Sequence, residues 1–490
     1  MPIKHIFVLM LENRSYDHML GFSPIEGVDA VTGQPARADC LTGGESLTYQ
    51  GKTYAPTRGA DNVMPVDPPH EFGDVLEQMA GSGVGYTPGG AYPPIHNSGY
   101  VSSYATHGGT DPAEVMKCYT PDQLPVLNAL AKEFALCDNW HASMPGPTWP
   151  NRMFVHASSS GGLDHSPTVP EILQWELLNG FSFQNGNLFE LLDTYGVRRR
   201  LYAGDDFPMV ASLKGIGLGD IRKYDLFAGD LQTPNFPYGY VFIEPSYDVF
   251  HEYRSGNSQH PLGDVRRGEA LIKSTYEAIR NSSYWEESML IITWDEHGGF
   301  YDHAVPPAAP APGDTSPNDP RDRNGFTFEQ YGPRVPAVVI SPLIPKNVID
   351  HRVYDHASVP RTVQKVFGLP YLTERDHKAN SVSELATLTA PRTDTPKTLP
   401  GTMQAAVSAV SAGMVRAVSA PVTRPEDSAD EGNIPALVHA AMQQQLRAEP
   451  EKRAEIVARV SRIRTRADAH DYLVEVKQAV TPAISSAPSR

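Results

Sequence analysis

The chain has 490 residues, with 41 Lys and Arg against 57 Asp and Glu, for a formal net charge of −16. Hydrophobic residues at 40% and aromatics at 9% can build a sizeable core, which excludes wholesale disorder. The acidic balance argues against a broad basic face for nucleic acid or anionic lipid, and Cys40, Cys118 and Cys137 are too few and too scattered for a disulfide framework or a thiolate metal site.

The first apolar run, Ile6–Leu11, stops at Glu12, well short of the ~20 residues a membrane span needs, and no signal-peptide cleavage pattern follows it. No transmembrane segment and no signal peptide are therefore expected, and the address is the cytoplasm or a secretion route not visible here. Further short apolar runs at Arg200–Tyr202, Val241–Ile243, Met289–Trp294 and Val335–Ile340 alternate with helix-period segments. That alternation predicts an α/β fold with a mostly parallel sheet flanked by helices. One helix is expected to be capped by Thr120 and opened by Pro121, with Leu124, Leu127, Leu130, Ala131 and Phe134 inward. A second is expected from Val265 to Arg280, and a third from Ser358 to a stop at Gly368. Residues 22–115 and 304–333 are rich in Gly, Pro, Asn and Asp and read as long excursions from the sheet, where substrate-binding walls are common. A catalytic body over 1–380 would then be followed by an Ala, Ser, Thr and Pro-rich linker over 381–432. A small helical appendage over 433–480 completes the chain, docked on the body or presented to a partner.

Glu12-Asn13 follows the first strand directly, and Asp295-Glu296 follows Met289–Trp294 in the same way. In open α/β sheets ligands bind at the carboxyl ends of strands. Two such pairs of oxygen donors can converge on one hard cation, whereas a single pair often only caps or turns. Pro145-Gly-Pro-Thr-Trp-Pro-Asn-Arg152 places Thr148 as the cap of a helix, in the positive field where phosphate binds readily. Most threonines so placed only cap, and a threonine hydroxyl becomes a nucleophile only when a metal or base activates it. His70, His260, His303 and His356 lie in loops or at element ends, where function concentrates. The sequence has no His-Glu-x-x-His, no Gly-x-Ser-x-Gly and no phosphate-binding glycine loop.

Taken as a set, these blocks resemble the bacterial phosphoesterase family, which holds the phosphatidylcholine-type and non-specific phospholipases C and a branch of acid phosphatases. The resemblance runs through Glu12–Gly21, Pro145–Arg152, Thr293–His303, Tyr331–Pro336 and Tyr354–Ser358, in the family's order. It implies an alkaline-phosphatase-like sheet and hydrolysis through a covalent phospho-enzyme. It also implies Thr148 as nucleophile, His70 and His260 as catalytic partners, and Glu12, Asn13, Thr148, Asp295 and Glu296 as ligands of one divalent metal ion. Oxygen ligands favour Ca²⁺, Mg²⁺ or Mn²⁺, with Zn²⁺ possible. His303, His356 and Asn151 are expected among the substrate contacts. In the phosphatase branch the nucleophile is typically serine, so Thr148 tips the expectation toward a phospholipase C. Its substrate would be phosphatidylcholine or a related phospholipid, met at a transient membrane or micelle surface. An acid phosphatase or other phosphodiesterase stays open as the alternative, as does a non-enzymatic body docked through its helical tail.

Overall fold

The apolar runs become the centre of a ten-stranded sheet in the computed structural model, which describes residues 2–175, 179–314, 319–403 and 422–485. Its strands are β1 (His5–Leu11), β2 (Glu26–Asp29), β3 (Pro35–Arg37), β4 (Ala135–Cys137), β5 (Arg199–Ala203), β6 (Ile221–Lys223), β7 (Tyr240–Glu244), β8 (Ser288–Trp294), β9 (Ala337–Ile340) and β10 (Val348–Asp350). Their order is β6-β5-β7-β1-β8-β9-β4-β10-β2-β3. The central strands β1 and β8 are buried along their whole length, as continuous apolar strands covered on both faces must be. The α/β class and the mostly parallel sheet are as expected. Only β9, antiparallel to both neighbours, and β3, antiparallel to β2, run against that pattern. β9 is also shorter than Val335–Ile340, because Pro336 has no N–H to offer a ladder.

The helices Val265–Arg280 and Ser358–Phe367 fall where expected, and Gly368 ends the latter in the left-handed region at φ 68°. The first predicted helix starts later, at Pro125, and Thr120 instead closes a turn with the Gln123 side chain. Its first turn is capped from outside: the Glu269 carboxylate accepts from Val126 and Leu127 N–H at 2.8 and 3.0 Å. Burial raises the Glu269 pKa to about 7 against the pull of those two N–H groups. The folded chain therefore binds a proton that the unfolded chain has lost, and the associated stability is present below the ordinary glutamate range and lost as pH rises through about 7. Glu269→Gln is expected to flatten the fall in melting temperature between about pH 5 and pH 8. An unchanged slope in that variant would rule Glu269 out as its source.

Within the expected linker, residues 404–421 lie outside the described residues. Residues 395–399 run along the helix Val265–Arg280, where Tyr276 Oη donates to Pro396 O at 2.6 Å and Lys273 to Leu399 O at 2.6 Å. The C-terminal helices Ile434–Ala448, Arg453–Val460 and Arg466–Ser485 are docked on the body. Ile434, Leu437, Val438, Met442, Tyr472 and Val476 are part of one continuous core with the sheet. Lys477 pairs with Asp206 at 2.7 Å, and Asp430 Oδ1 accepts from Val169 N at 2.8 Å. Cys118 and Cys137 are buried, Cys40 is half-buried, and all three are free thiols. Among the described residues no helix is long and apolar enough to cross a membrane.

Candidate active site

β1 and β8 are parallel neighbours paired Leu11 to Trp294, so their carboxyl ends are level and Glu12-Asn13 emerges beside Asp295-Glu296. The strand ends are laced together: Asn13 N donates to Asp295 Oδ1 at 3.0 Å and Arg14 N to Glu296 O at 2.9 Å. Asn13 turns the chain at φ 60°, a left-handed conformation that asparagine tolerates. Opposite it, Gly298 has φ 65°, and a Cβ there would lie 2.1 Å from Asn13 O, so only glycine lets the two turns meet.

The nucleophile turn is shaped from within. Asn151 Oδ1 accepts from Met144 N at 3.1 Å, while its Nδ2 donates to Gly146 O and Pro147 O at 2.9 and 3.0 Å. Asn151 therefore holds the turn from beneath. Thr148 departs from the expected cap: Pro147 occupies the cap position and Thr148 is the first residue of the helix Thr148–Ala157. Its hydroxyl is left for other work and lies 3.4 Å from Asn13 Nδ2, with the residue 5% exposed. One helical turn on, Arg152 Nε donates to Asp295 Oδ2 at 2.9 Å and Nη2 to Leu11 O at 2.9 Å.

Thr148, His70 and His260 line one cleft of about 200 Å³, together with Asp67, Glu71, Asp74, Tyr253, Gly432 and Asn433. His70 is anchored by Nδ1 donating to Pro68 O at 2.7 Å, with Nε2 3.4 Å from Asn13 Nδ2. Burial disfavours its cation, but Glu296 and Asp67 outweigh that and raise its pKa to about 10. His260 stacks on Tyr253 with ring centres 3.4 Å apart and planes 4° from parallel. Its Nδ1 accepts from Leu262 N at 3.3 Å, which leaves the proton on Nε2, 3.4 Å from Asp67 Oδ2. The loop carrying it is held by Arg14, whose Nε donates to Gln259 O at 2.7 Å, and by Trp294 Nε1 donating to Gln259 Oε1 at 2.9 Å.

His356 and His303 take other places. His356 is fully buried behind the site, where Nε2 donates to Asp295 O at 2.5 Å and Nδ1 accepts from Trp140 Nε1 at 3.4 Å. Burial lowers its pKa to about 4, so it is a neutral brace for the Asp295 backbone. His303 pairs through Nδ1 with Asp17 Oδ2 at 2.7 Å and through Nε2 with Asp39. Asp17 and Asp302 are also bridged by the Arg334 guanidinium at 3.2 and 2.9 Å, so a cation of the protein already fills that acidic cluster.

Three fully buried carboxylates, Glu12, Asp295 and Glu296, follow the two strand ends, with Arg152 2.9 Å from Asp295 and 4.0 Å from Glu12. Burial and the charge of Asp295 push Glu12 well above the ordinary carboxylate range, and burial likewise raises Asp295 to about 6. Glu12 Oε1 and Asn13 Oδ1 are buried acceptors with no hydrogen-bond partner among the described residues. Unpaired acceptors beside crowded carboxylates are the donor set that a hard divalent cation satisfies, so Glu12, Asn13, Glu296 and Asp295 fit such an ion. Arg152 carries a signal in the sequence, since it lies four residues after Thr148 and so on the same helix face. Asp67 carries a weaker one, three residues before His70. For Tyr253 and Asn433 the sequence carries no signal, since they reach the cleft from the far end of a loop and from the C-terminal helices.

The phosphoesterase family model matches residues 3–370. Non-specific phospholipase C6 of Arabidopsis thaliana is 36% identical, over 81% of this chain and 75% of that protein. Phospholipase C B of Mycobacterium tuberculosis is 26% identical, over 75% of this chain and 74% of its own. Among solved structures, a protein of the alkaline phosphatase superfamily from Vibrio parahaemolyticus aligns with a TM-score of 0.32 and 14% identity, over 54% of this chain and 66% of that one. That likeness is too loose to argue from. With a family match across three quarters of its length, and with phospholipase relatives that agree with it, the chain belongs to the phosphoesterase family and is a hydrolase acting on phosphoric esters.

Proposed function

We propose that the protein is a phospholipase C that cleaves phosphatidylcholine or a related phospholipid to diacylglycerol and a phosphorylated head group, through a phospho-threonine at Thr148. The observation that carries this reading is the Thr148 hydroxyl, released from helix capping and set beside Asn13 at the mouth of the carboxylate cluster. A divalent ion on Glu12, Asn13, Asp295 and Glu296 would supply the charge that favours the Thr148 alkoxide, its proton passing to water. Oγ1 forms the new P–O bond while the P–O bond to the glycerol oxygen breaks. Protonated His70 donates to the phosphoryl oxygens, and Nε2–H of His260 hydrogen-bonds the departing alkoxide, which takes its proton from water. A water then attacks phosphorus and the P–Oγ1 bond breaks, the water's proton passing to Oγ1, with Asp67 orienting the His260 ring.

The cleft also bears on the choice between diester and monoester. Its wall carries the carboxylates of Asp67, Glu71 and Asp74, which suit a zwitterionic head group with a positive end. A phosphomonoester would bring a second negative charge against the same wall. The test compares release of phosphocholine from phosphatidylcholine micelles with cleavage of p-nitrophenyl phosphate, before and after chelation and readdition of Ca²⁺, Mg²⁺ or Mn²⁺. Lipid turnover that is lost on chelation and restored by one ion is the expected result. Monoester cleavage without lipid turnover would move the protein to the phosphatase reading.

A further inference from the structure

The helix Ile434–Ala448 begins at the catalytic cleft, and its cap residue is used in an unusual way. Asparagine is a preferred helix cap because its side chain can accept from the free N–H groups of the first turn. Asn433 occupies that position with φ −85° and makes no side-chain cap bond. Its amide points out of the helix instead, and Nδ2 donates to Glu12 Oε2 at 3.3 Å, with Asn433 3% and Glu12 0% exposed. The preceding residue, Gly432, passes so close to the catalytic stack that a Cβ there would lie 2.9 Å from Tyr253 Oη. Tyr253 is itself held at φ 60° and lies flat on His260.

We infer that Asn433 is a positioning residue of the active site: the C-terminal helices deliver a donor that fixes the Glu12 carboxylate, leaving Oε1 to face the ion. Oε2 is the oxygen Asn433 engages and Oε1 is the one without a partner among the described residues, so the two oxygens have divided roles. Outer partners of this kind orient metal-binding carboxylates, and their loss typically costs about 10–100-fold in ion affinity or activity. The catalytic centre is thus assembled from both ends of the chain, 421 residues apart in sequence. The inference rests on the function proposed above.

The test uses the full chain and the variants Asn433→Ala and Asn433→Leu. Neither removes a cap bond, and leucine keeps the branched shape of the buried side chain without its donor. Gln445→Ala loosens the same helix at its other end, where Gln445 accepts from Tyr472 Oη at 3.0 Å. Affinity for Ca²⁺, Mg²⁺ and Mn²⁺ alone is measured by titration calorimetry, and kcat and KM on phosphatidylcholine micelles separately. Both Asn433 variants are expected to bind the preferred ion about 10–100-fold more weakly and to lose kcat by a similar factor, with KM little changed. Gln445→Ala is expected to melt earlier with wild-type ion affinity. Wild-type ion affinity in the Asn433 variants, or an equal loss in Gln445→Ala, would overturn the inference while leaving the function intact. A wild-type chain that neither binds a divalent ion nor turns over lipid would overturn the function and this inference together.

Discussion

Replacing Thr148 by alanine is expected to lower kcat on phosphatidylcholine by at least about 10³-fold, because the covalent route runs through its hydroxyl. The loss belongs to chemistry and not to folding. Thr148 makes no cap bond, Pro147 holds the cap position, and the turn around it is fixed by Asn151. The melting temperature of Thr148→Ala should therefore stay close to that of the wild type, and its KM should change far less than kcat. Thr148→Ser keeps the oxygen and loses only a methyl group, so it should retain activity within about tenfold of wild type. Activity in Thr148→Ala above a tenth of the wild-type value would remove Thr148 from the mechanism. Steady-state kinetics with thermal denaturation of the same samples checks all of these expectations.

The second large effect is on stability. Arg152 is 3% exposed and is the guanidinium set among Asp295 at 2.9 Å and Glu12 at 4.0 Å, with Tyr247 across its face. Removing one partner from a buried ion pair leaves an uncompensated charge and costs about 3–5 kcal/mol. Arg152→Met is expected to lose a stability of that order in urea denaturation and to purify with no measurable turnover. Arg152→Lys should recover only part of it, since its one nitrogen does not reproduce the fixed fork whose Nε and Nη2 reach Asp295 Oδ2 and the carbonyl of Leu11. Because the same carboxylates are the ones that fit a cation, millimolar Ca²⁺, Mg²⁺ or Mn²⁺ should restore part of the stability of Arg152→Met. A loss below about 1 kcal/mol would mean that the carboxylates are neutralised in some other way.

How much of this was legible in the sequence differs element by element. Strands β1 and β8 announce themselves as unbroken apolar runs, and the acidic pairs that follow them are visible for the same reason. The sequence does not show that β1 and β8 are adjacent and in level register, which is a property of the sheet order. The helices Val265–Arg280 and Ser358–Phe367 have clear apolar stripes and clear ends, so both were readable. The helix at Pro125 starts later than Thr120 and Pro121 suggest because its first turn is capped by Glu269, 143 residues from Val126, and local spacing cannot report that. His303 and His356 stand in motifs as prominent as those of His70 and His260. Only the tertiary structure separates an ion-paired loop histidine and a buried brace from the two that face the cleft. Asn433 was invisible because it is an ordinary helix-cap residue by sequence, and its use is set by what lies opposite.

The most direct test of the central claim is to look for the intermediate itself. The protein would be mixed with excess phosphatidylcholine micelles, quenched in acid within the first turnovers, digested, and the peptide spanning Pro147–Arg152 read by mass spectrometry. This peptide is expected to gain one phosphorylated head group, on Thr148, with a signal that decays as substrate is exhausted and is absent from Thr148→Ala. Turnover of the lipid at full rate with no modified Thr148 peptide at any quench time would contradict that claim.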